Sequence, residues 1–207
     1  MAIQTRFFTM DGKEGVDLNN IEATFDATTL PEVPGRRHNL GDRVQGNNGS
    51  EWMYVVASAT VTAFNWIAIN RNFGAQNATT AIQASGIFVF GIAEFQAIST
   101  DQTSLLNAQP GQNFWALMKA AHGARVNVSA TISVGPGAKL FVSQDIPGTL
   151  TTSTTSSTSA MLQIVGLFVA ASATNGVSLS ASQTNVEVGM YTYPYPAVLA
   201  SVQAASV

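Results

Sequence analysis

The sequence predicts an all-β fold: an antiparallel β-sandwich or barrel made of two similar β units, preceded by an extended N-terminal arm. Three observations carry this. From Leu40 onward short β-type runs follow one another; glycine, proline and Asn-Gly signals punctuate them evenly; and one strand plan recurs about 75 residues later in the chain. Even punctuation of this kind belongs to hairpins and meanders, whereas βαβ units would need helical periods between the strands.

The arm comes first, residues 1–38. It has few periodic apolar positions and carries the breakers Asp11-Gly12, Gly15, Pro31, Pro34 and Gly35. Such a segment cannot bury enough apolar surface to fold alone, so it is expected to lie against the rest of the chain or a neighbouring subunit. Arg6, Phe7 and Phe8 are its candidate partner contacts. Arg36 and Arg37, beside His38, form the one basic cluster; they read either as a solvated turn or as an ion-pairing contact with a protein partner.

The first β unit is placed at 39–108. In "RVQGNNGSEWMYVVAS" the dipeptide Asn48-Gly49 supplies positive φ for a hairpin between two β runs. Further strands are expected at 61–69 and 86–95. The second unit, 109–207, follows with strands expected at 113–119, 125–133, 138–143, 161–170 and 184–192, and ends in a Tyr/Pro-rich tail. "FWALMKAAHGA" is compatible with a helix, but Phe114, Ala116 and Met118 alternate with Trp115, Leu117 and Lys119, which favours a strand for its first half. Helix content should be low.

The repeat gives the two units a common plan. "IFVFGIAEF" (87–95) matches "LQIVGLFVA" (162–170) with Gly91 on Gly166, 75 residues apart, and the same offset lays "WIAI" (66–69) on "FVSQ" (141–144). Upstream, Ser58-Ala59-Thr60 matches Ser129-Ala130-Thr131 at an offset of 71, the difference falling in the turn around "GPG". Each matched glycine is expected to mark a bulge or a close backbone approach. The Ser/Thr-rich "GTLTTSTTSSTSA" lies opposite "AQNATTAIQAS", and both read as an uncharged edge strand or loop facing a partner, or else as a flexible stalk.

Composition narrows the function. Charged residues make up 10% of the 207 residues, against about 25% in ordinary soluble domains; Ser, Thr, Ala, Asn, Gln and Gly take their place. Neutral groups of this kind tolerate contact with another protein at little desolvation cost, so the surface is expected to be largely covered. A net charge of −3 offers no long-range attraction for phosphate backbones, and nucleic acid is not expected as a partner. No window has the length of a membrane span, and the opening residues lack the apolar core of a secretory signal.

Chemistry-bearing residues are sparse. Cysteine is absent, which removes disulfides, thiol catalysis and thiolate metal sites. The two histidines, His38 and His122, show no metal-ligand spacing, and no nucleophile elbow surrounds Ser104 near Asp101 and His122. Asp101, Asp145, Glu51, Glu94 and Glu187 stand singly. Glu94, inside an apolar strand, is the best candidate for a perturbed carboxylate; the outward face of a half-buried strand is its plainer reading. No phosphate-binding glycine loop occurs. Hence no catalytic residues, cofactor or metal are expected. The tail "MYTYPYPAVL" is more informative: Tyr191, Tyr193 and Tyr195 alternate on one side of an extended chain, while Pro194 and Pro196 stop a ladder on the other. Tyrosine combines apolar area with a polar tip, so these three are candidate partner contacts, with core capping as the alternative.

"NLGDRVQGNNGSEWMYVVASATVTAFNWIAI" resembles the opening of the small tailed-bacteriophage capsid decoration (cement) proteins, which show L-G-x-x-V-x-G-x-x-G-x-x-[YW]-x-Y-V-x-A before an aliphatic strand. The matching residues are Leu40, Gly41, Val44, Gly46, Gly49, Trp52, Tyr54, Val55 and Ala57. "GQNFWALMKAAHGARVNVSATISVGPGAKLFVSQDIPGTL" is similar to the second half of related phage β proteins, so the resemblance covers about residues 40–170; the arm and the tyrosine tail have no counterpart. What it implies is a non-enzymatic virion protein, made in the host cytoplasm, that sits on the capsid surface. It would bind the major capsid protein over joints between subunits as a homotrimer, without nucleic acid or membrane. Competing readings are a tail, fibre or baseplate component, the shell subunit itself, a carbohydrate-binding module using Trp52, Trp66, Trp115 or the tyrosines, and an enzyme.

Overall fold

The computed structural model describes residues 16, 18, 21–22, 38–84, 88–95, 107–129, 136–143, 146–152, 162–169, 178–180 and 183–198. Among the described residues the regular elements are strands, apart from one short α-helix and a 3-10 turn at Asn47–Gly49, so the fold is all-β. In chain order they are β1 (Ile21–Glu22), β2 (Arg43–Gly46), β3 (Ser50–Ala57), β4 (Val61–Thr62), β5 (Trp66–Ile69), β6 (Gly74–Asn77), α1 (Thr80–Ala84), β7 (Val89–Ile92), β8 (Asn107–Ala108), β9 (Asn113–Ser129), β10 (Phe141–Val142), β11 (Leu150–Thr151), β12 (Leu162–Val169), β13 (Ser178–Ser180) and β14 (Gln183–Val198). The arm, with Arg6, Phe7, Phe8, Arg36 and Arg37, lies outside the described residues except for Val16, Leu18, β1 and His38.

The hairpin forms where Asn-Gly placed it. Between β2 and β3 the loop Asn47–Gly49 holds Asn48 at φ 59° and Gly49 at φ 64°. Expected strand boundaries differ at several points. The 61–69 run divides into β4 and β5, because Phe64 adopts φ 63° and turns the chain. The two strands expected at 113–119 and 125–133 are one: Gly123, with φ 83°, bends β9 without ending it. Likewise β14 continues past residue 192 through both prolines to Val198. The "AQNATTAIQAS" segment is also not all edge strand. Thr79 accepts a bond from the Ile82 N–H through its hydroxyl, at 3.2 Å, and this side-chain cap opens α1.

Strand pairing reveals two closed five-stranded rings. In the first, β3 pairs β6 in parallel, and β6–β5, β5–β7, β7–β9 and β9–β3 follow antiparallel. In the second, β9 pairs β11 in parallel, and β11–β10, β10–β12, β12–β14 and β14–β9 follow antiparallel. The sheets are therefore mixed, not purely antiparallel. One pairing order is used twice, and β9 belongs to both rings.

The registers repeat with the sequence. Ala75 faces Ala57 at the first parallel closure and Leu150 faces Val128 at the second, which reproduces the offsets of 75 and 71 read from the sequence. Asn113 faces Val56, and Asn185 faces Asn127. The β10–β12 pairing departs from this: Phe141 faces Gln163, where a rigid 75-residue offset would put Leu167. The matched glycines serve both expected purposes. A Cβ on Gly91 would meet the Leu117 carbonyl oxygen at 2.7 Å, a close backbone approach; Gly166, at φ 87°, sits where the β12–β14 register shifts.

Alternation sorts the core into two clusters. Trp52, Tyr54, Trp66, Trp115 and Leu117 point to one side of the first ring's strands and join Val126, Val128, Ile164, Val186 and Val188 of the second ring. Met53, Val55, Ile67, Ile69, Phe114 and Met118 point to the other. Both faces of the first ring's sheet are thus buried, which explains why "WIAI" reads as a continuous apolar run. Leu18 of the arm is buried against the larger cluster, and Val16, Leu40 and Ile82 pack on it.

Candidate interaction surface

Four strands, β2, β3, β9 and β14, converge at Tyr193. Its hydroxyl donates to the Glu51 carboxylate and accepts from Arg43 Nη1 at 3.0 Å; the Arg43 guanidinium carbon lies 5.6 Å from the ring centroid. Glu51 also pairs with Lys119 Nζ at 3.6 Å, across the β3–β9 ladder in which these two residues face each other. The bond to Glu51, then partial burial and the carboxylate's charge, raise the Tyr193 phenol above its ordinary pKa, with Arg43 opposing. The phenol remains a donor at neutral pH. Tyr193 is nonetheless 42% exposed, one of two exposed large hydrophobic residues among the described residues, with Val89.

The rings meet at a second polar cluster, which is buried. Asn127 Nδ2 donates to the Ala63 carbonyl at 2.9 Å and to Asn65 Oδ1 at 2.7 Å, while Asn65 Nδ2 reaches Asn77 Oδ1 at 3.1 Å and the Pro147 carbonyl at 3.4 Å. Main-chain bonds run alongside: Asn127 N–H to the Phe64 carbonyl, and Trp66 N–H to the Gly148 carbonyl. Glu94 completes the joint. It is 2% exposed, so it does not occupy the outward face of a half-buried strand, because Arg125 folds over it. Both the Arg125 main-chain N–H and its Nε–H donate to the carboxylate. The guanidinium carbon sits 4.3 Å from the Phe64 ring centroid, over the residue whose positive φ turns the chain. Burial raises the Glu94 pKa, and Arg125 pulls it back.

The remaining surface is close to neutral. Among the exposed described residues the ionised side chains are Arg43, Arg71, Lys139 and Glu187; the others are Ser58, Thr60, Asn72, Gln109 and similar uncharged groups. Ser58-Ala59-Thr60, the first copy of the repeated triplet, is exposed throughout, and Thr60 Oγ1 touches Gln109 Oε1 at 3.4 Å.

Of the residues singled out from sequence, Tyr193 stands exposed at the edge of the first ring, whereas Tyr191 and Tyr195 are described only by their backbone in β14. His38 is not a solvated turn residue; its ring packs edge-on against Tyr54 and Trp115 at 5.2 and 5.1 Å. Trp52, Trp66 and Trp115 are fully buried and offer no face to a sugar. Asp101, Ser104 and Asp145 lie outside the described residues, and among the described residues no three His, Asp or Glu gather where a metal could bind. Sequence reasoning missed Arg43, Glu51 and Lys119 as companions of Tyr193. They lie up to 150 residues from it, and no local pattern links them. A scan of family models, a search of curated proteins and a search of solved structures each find no match.

Proposed function

We propose that the chain is a non-enzymatic structural virion protein that binds the outside of a phage capsid and cements joints between major capsid subunits, as a homotrimer. One observation carries the reading. The hairpin from Leu40 to Ala57, which bears the resemblance to capsid decoration proteins, is also the surface on which the exposed Tyr193 is anchored, through Arg43 and Glu51. A tyrosine held by its hydroxyl presents a fixed ring, and fixed aromatic area is what a protein interface uses most effectively. Beyond the Arg43, Glu51 and Lys119 charges beside it, the described surface is charge-poor and rich in hydrogen-bonding groups, which suits broad contact of modest strength. Repeated over a lattice, many such contacts add by avidity.

The part of the arm before Val16, where the arm begins to pack on the chain's own body through Val16, Leu18 and β1, would add area by ordering on a neighbour, losing entropy only on assembly. The test compares attachment of the full chain and of a chain lacking residues 1–15 to purified capsids. Support is stoichiometric binding by the full chain and weakened binding by the truncated one, with the β body still folded. Equal occupancy by both, or no attachment by either, rejects the reading.

A further inference from the structure

A piece of the arm completes the first ring. At Asn113 and Phe114, β9 has β3 along one edge; along the other, β7 reaches only to Leu117, and β1 takes over with Ile21 facing Phe114 and Glu22 facing Asn113. Leu18 is buried in the larger core cluster, Val16 packs on that cluster, and Ile21 packs on the smaller one. Without this segment the strand edge at 113–114 would be left unpaired and both clusters opened to water. An arm has to be seated there. In the single chain it is the chain's own, but the contacts are the same whichever copy supplies them.

The connector bears on which copy that is. Its fifteen residues, 23–37, lie outside the described residues, but both of its ends are placed. Glu22 faces Asn113, and the His38 ring packs edge-on against Trp115, two residues along the same strand. A link between points this close needs few residues, and connections in compact domains usually have about four to six. Fifteen residues reach roughly 50 Å when extended. The sequence also opposes a return to the starting point: Leu30 and Val33 each precede a proline and so prefer extended backbone, and prolines stiffen a linker.

We propose that residues 16–22 are an exchanged arm, which in the oligomer seats on β9 of a second copy of this chain. The proposal rests on the homotrimer reading, in which three arms passed round one axis close the exchange. Swapping an identical element is a low-cost route to an oligomer, since each contact given up in one body is regained in another. A small anchorage, two ladder residues and a few apolar side chains, thereby becomes a tie between subunits. Three such ties act together by avidity.

Disulfide trapping tests this in a chain that has no cysteine of its own. Opposed residues of an antiparallel pair have Cα atoms about 4.5–5.5 Å apart, within the range that a disulfide spans. Asn113 Oδ1 is buried without a hydrogen bond, so Asn113→Cys removes no bond of that oxygen. Chains with Glu22→Cys alone and chains with Asn113→Cys alone are co-expressed, bound to purified capsids and oxidised. The expected product is a covalent pair of one chain of each kind, linked between positions 22 and 113, and the double variant Glu22→Cys/Asn113→Cys is expected to give covalent trimers.

Internal disulfides in the double variant, with no mixed pair from the single variants, overturn the exchange; capsids still occupied by these proteins leave the cementing reading standing. If nothing attaches to capsids, that reading fails, and the same trapping in concentrated solution decides the exchange by the same two products. Should the cysteine variants fail to fold, Glu22→p-benzoylphenylalanine in a co-expressed mixture of isotopically light and heavy chains replaces them. Photolysis that joins a light arm to a heavy β9 supports the exchange, and links confined to isotopically uniform products overturn it.

Discussion

The Glu94 carboxylate accepts two hydrogen bonds from one residue, the Arg125 main-chain N–H at 2.8 Å and its Nε–H at 3.2 Å, and so ties the end of β7 to the middle of β9. Removing one partner of a buried pair costs more than the pair itself contributes, because the charge left behind has no solvent. Arg125→Ala is expected to lower stability by about 3 kcal/mol, measured by urea denaturation.

Glu94 also sets a pH dependence. Burial raises its folded pKa above the unfolded value, so the folded state binds the proton more tightly, and this contribution to stability declines as pH rises through that interval. Glu94→Gln keeps an acceptor for the Arg125 N–H and does not titrate. The variant should therefore gain on the wild type as pH rises from the ordinary carboxylate range toward neutrality. Parallel stability curves for the two proteins over that range would contradict this.

Gly91 and Gly137 predict unequal outcomes. Gly91→Ala places a Cβ 2.7 Å from a main-chain oxygen that cannot rotate away, and about 2 kcal/mol of destabilisation is expected from the forced shift. Gly137 has φ 77° but open space around the missing Cβ, so Gly137→Ala should cost only the left-handed strain of about 1 kcal/mol. Thermal unfolding of both variants checks the order.

Asn65→Ala should cost about 2 kcal/mol, since Asn127 Nδ2 loses one of its two acceptors in a site without exposure. Hydrogen exchange at Gly148, whose carbonyl accepts from Trp66 N–H and whose N–H donates to the Ala78 carbonyl, should accelerate with it. Unchanged exchange there would show that the joint does not depend on Asn65.

Tyr193→Phe removes both bonds of an exposed side chain, so about 0.5 kcal/mol of stability is at stake. Attachment to capsids should fall by more than that loss of stability explains, because the ring is no longer fixed. Isothermal titration with capsids reads the difference.

The ring plan was legible in the sequence to an unusual degree, and for a physical reason. Gly91 sits at a close backbone approach and Gly166 where the β12–β14 register shifts, positions at which few residues fit. The continuity of β9 was not legible, since Gly123 looks the same whether it ends a strand or bends one. Nor was the burial of Glu94, which depends on Arg125, 31 residues away in sequence. The cluster around Tyr193 was half visible: the alternating tyrosines named one member, but its partners come from three other strands.

The most direct measurement is electron cryomicroscopy of capsids saturated with the purified chain. Ordered density for the two-ring body over the joints between major capsid subunits, with the β2–β3 hairpin and Tyr193 at the contact, is the predicted result. Bare capsids beside free, monomeric protein at saturating concentration would contradict it.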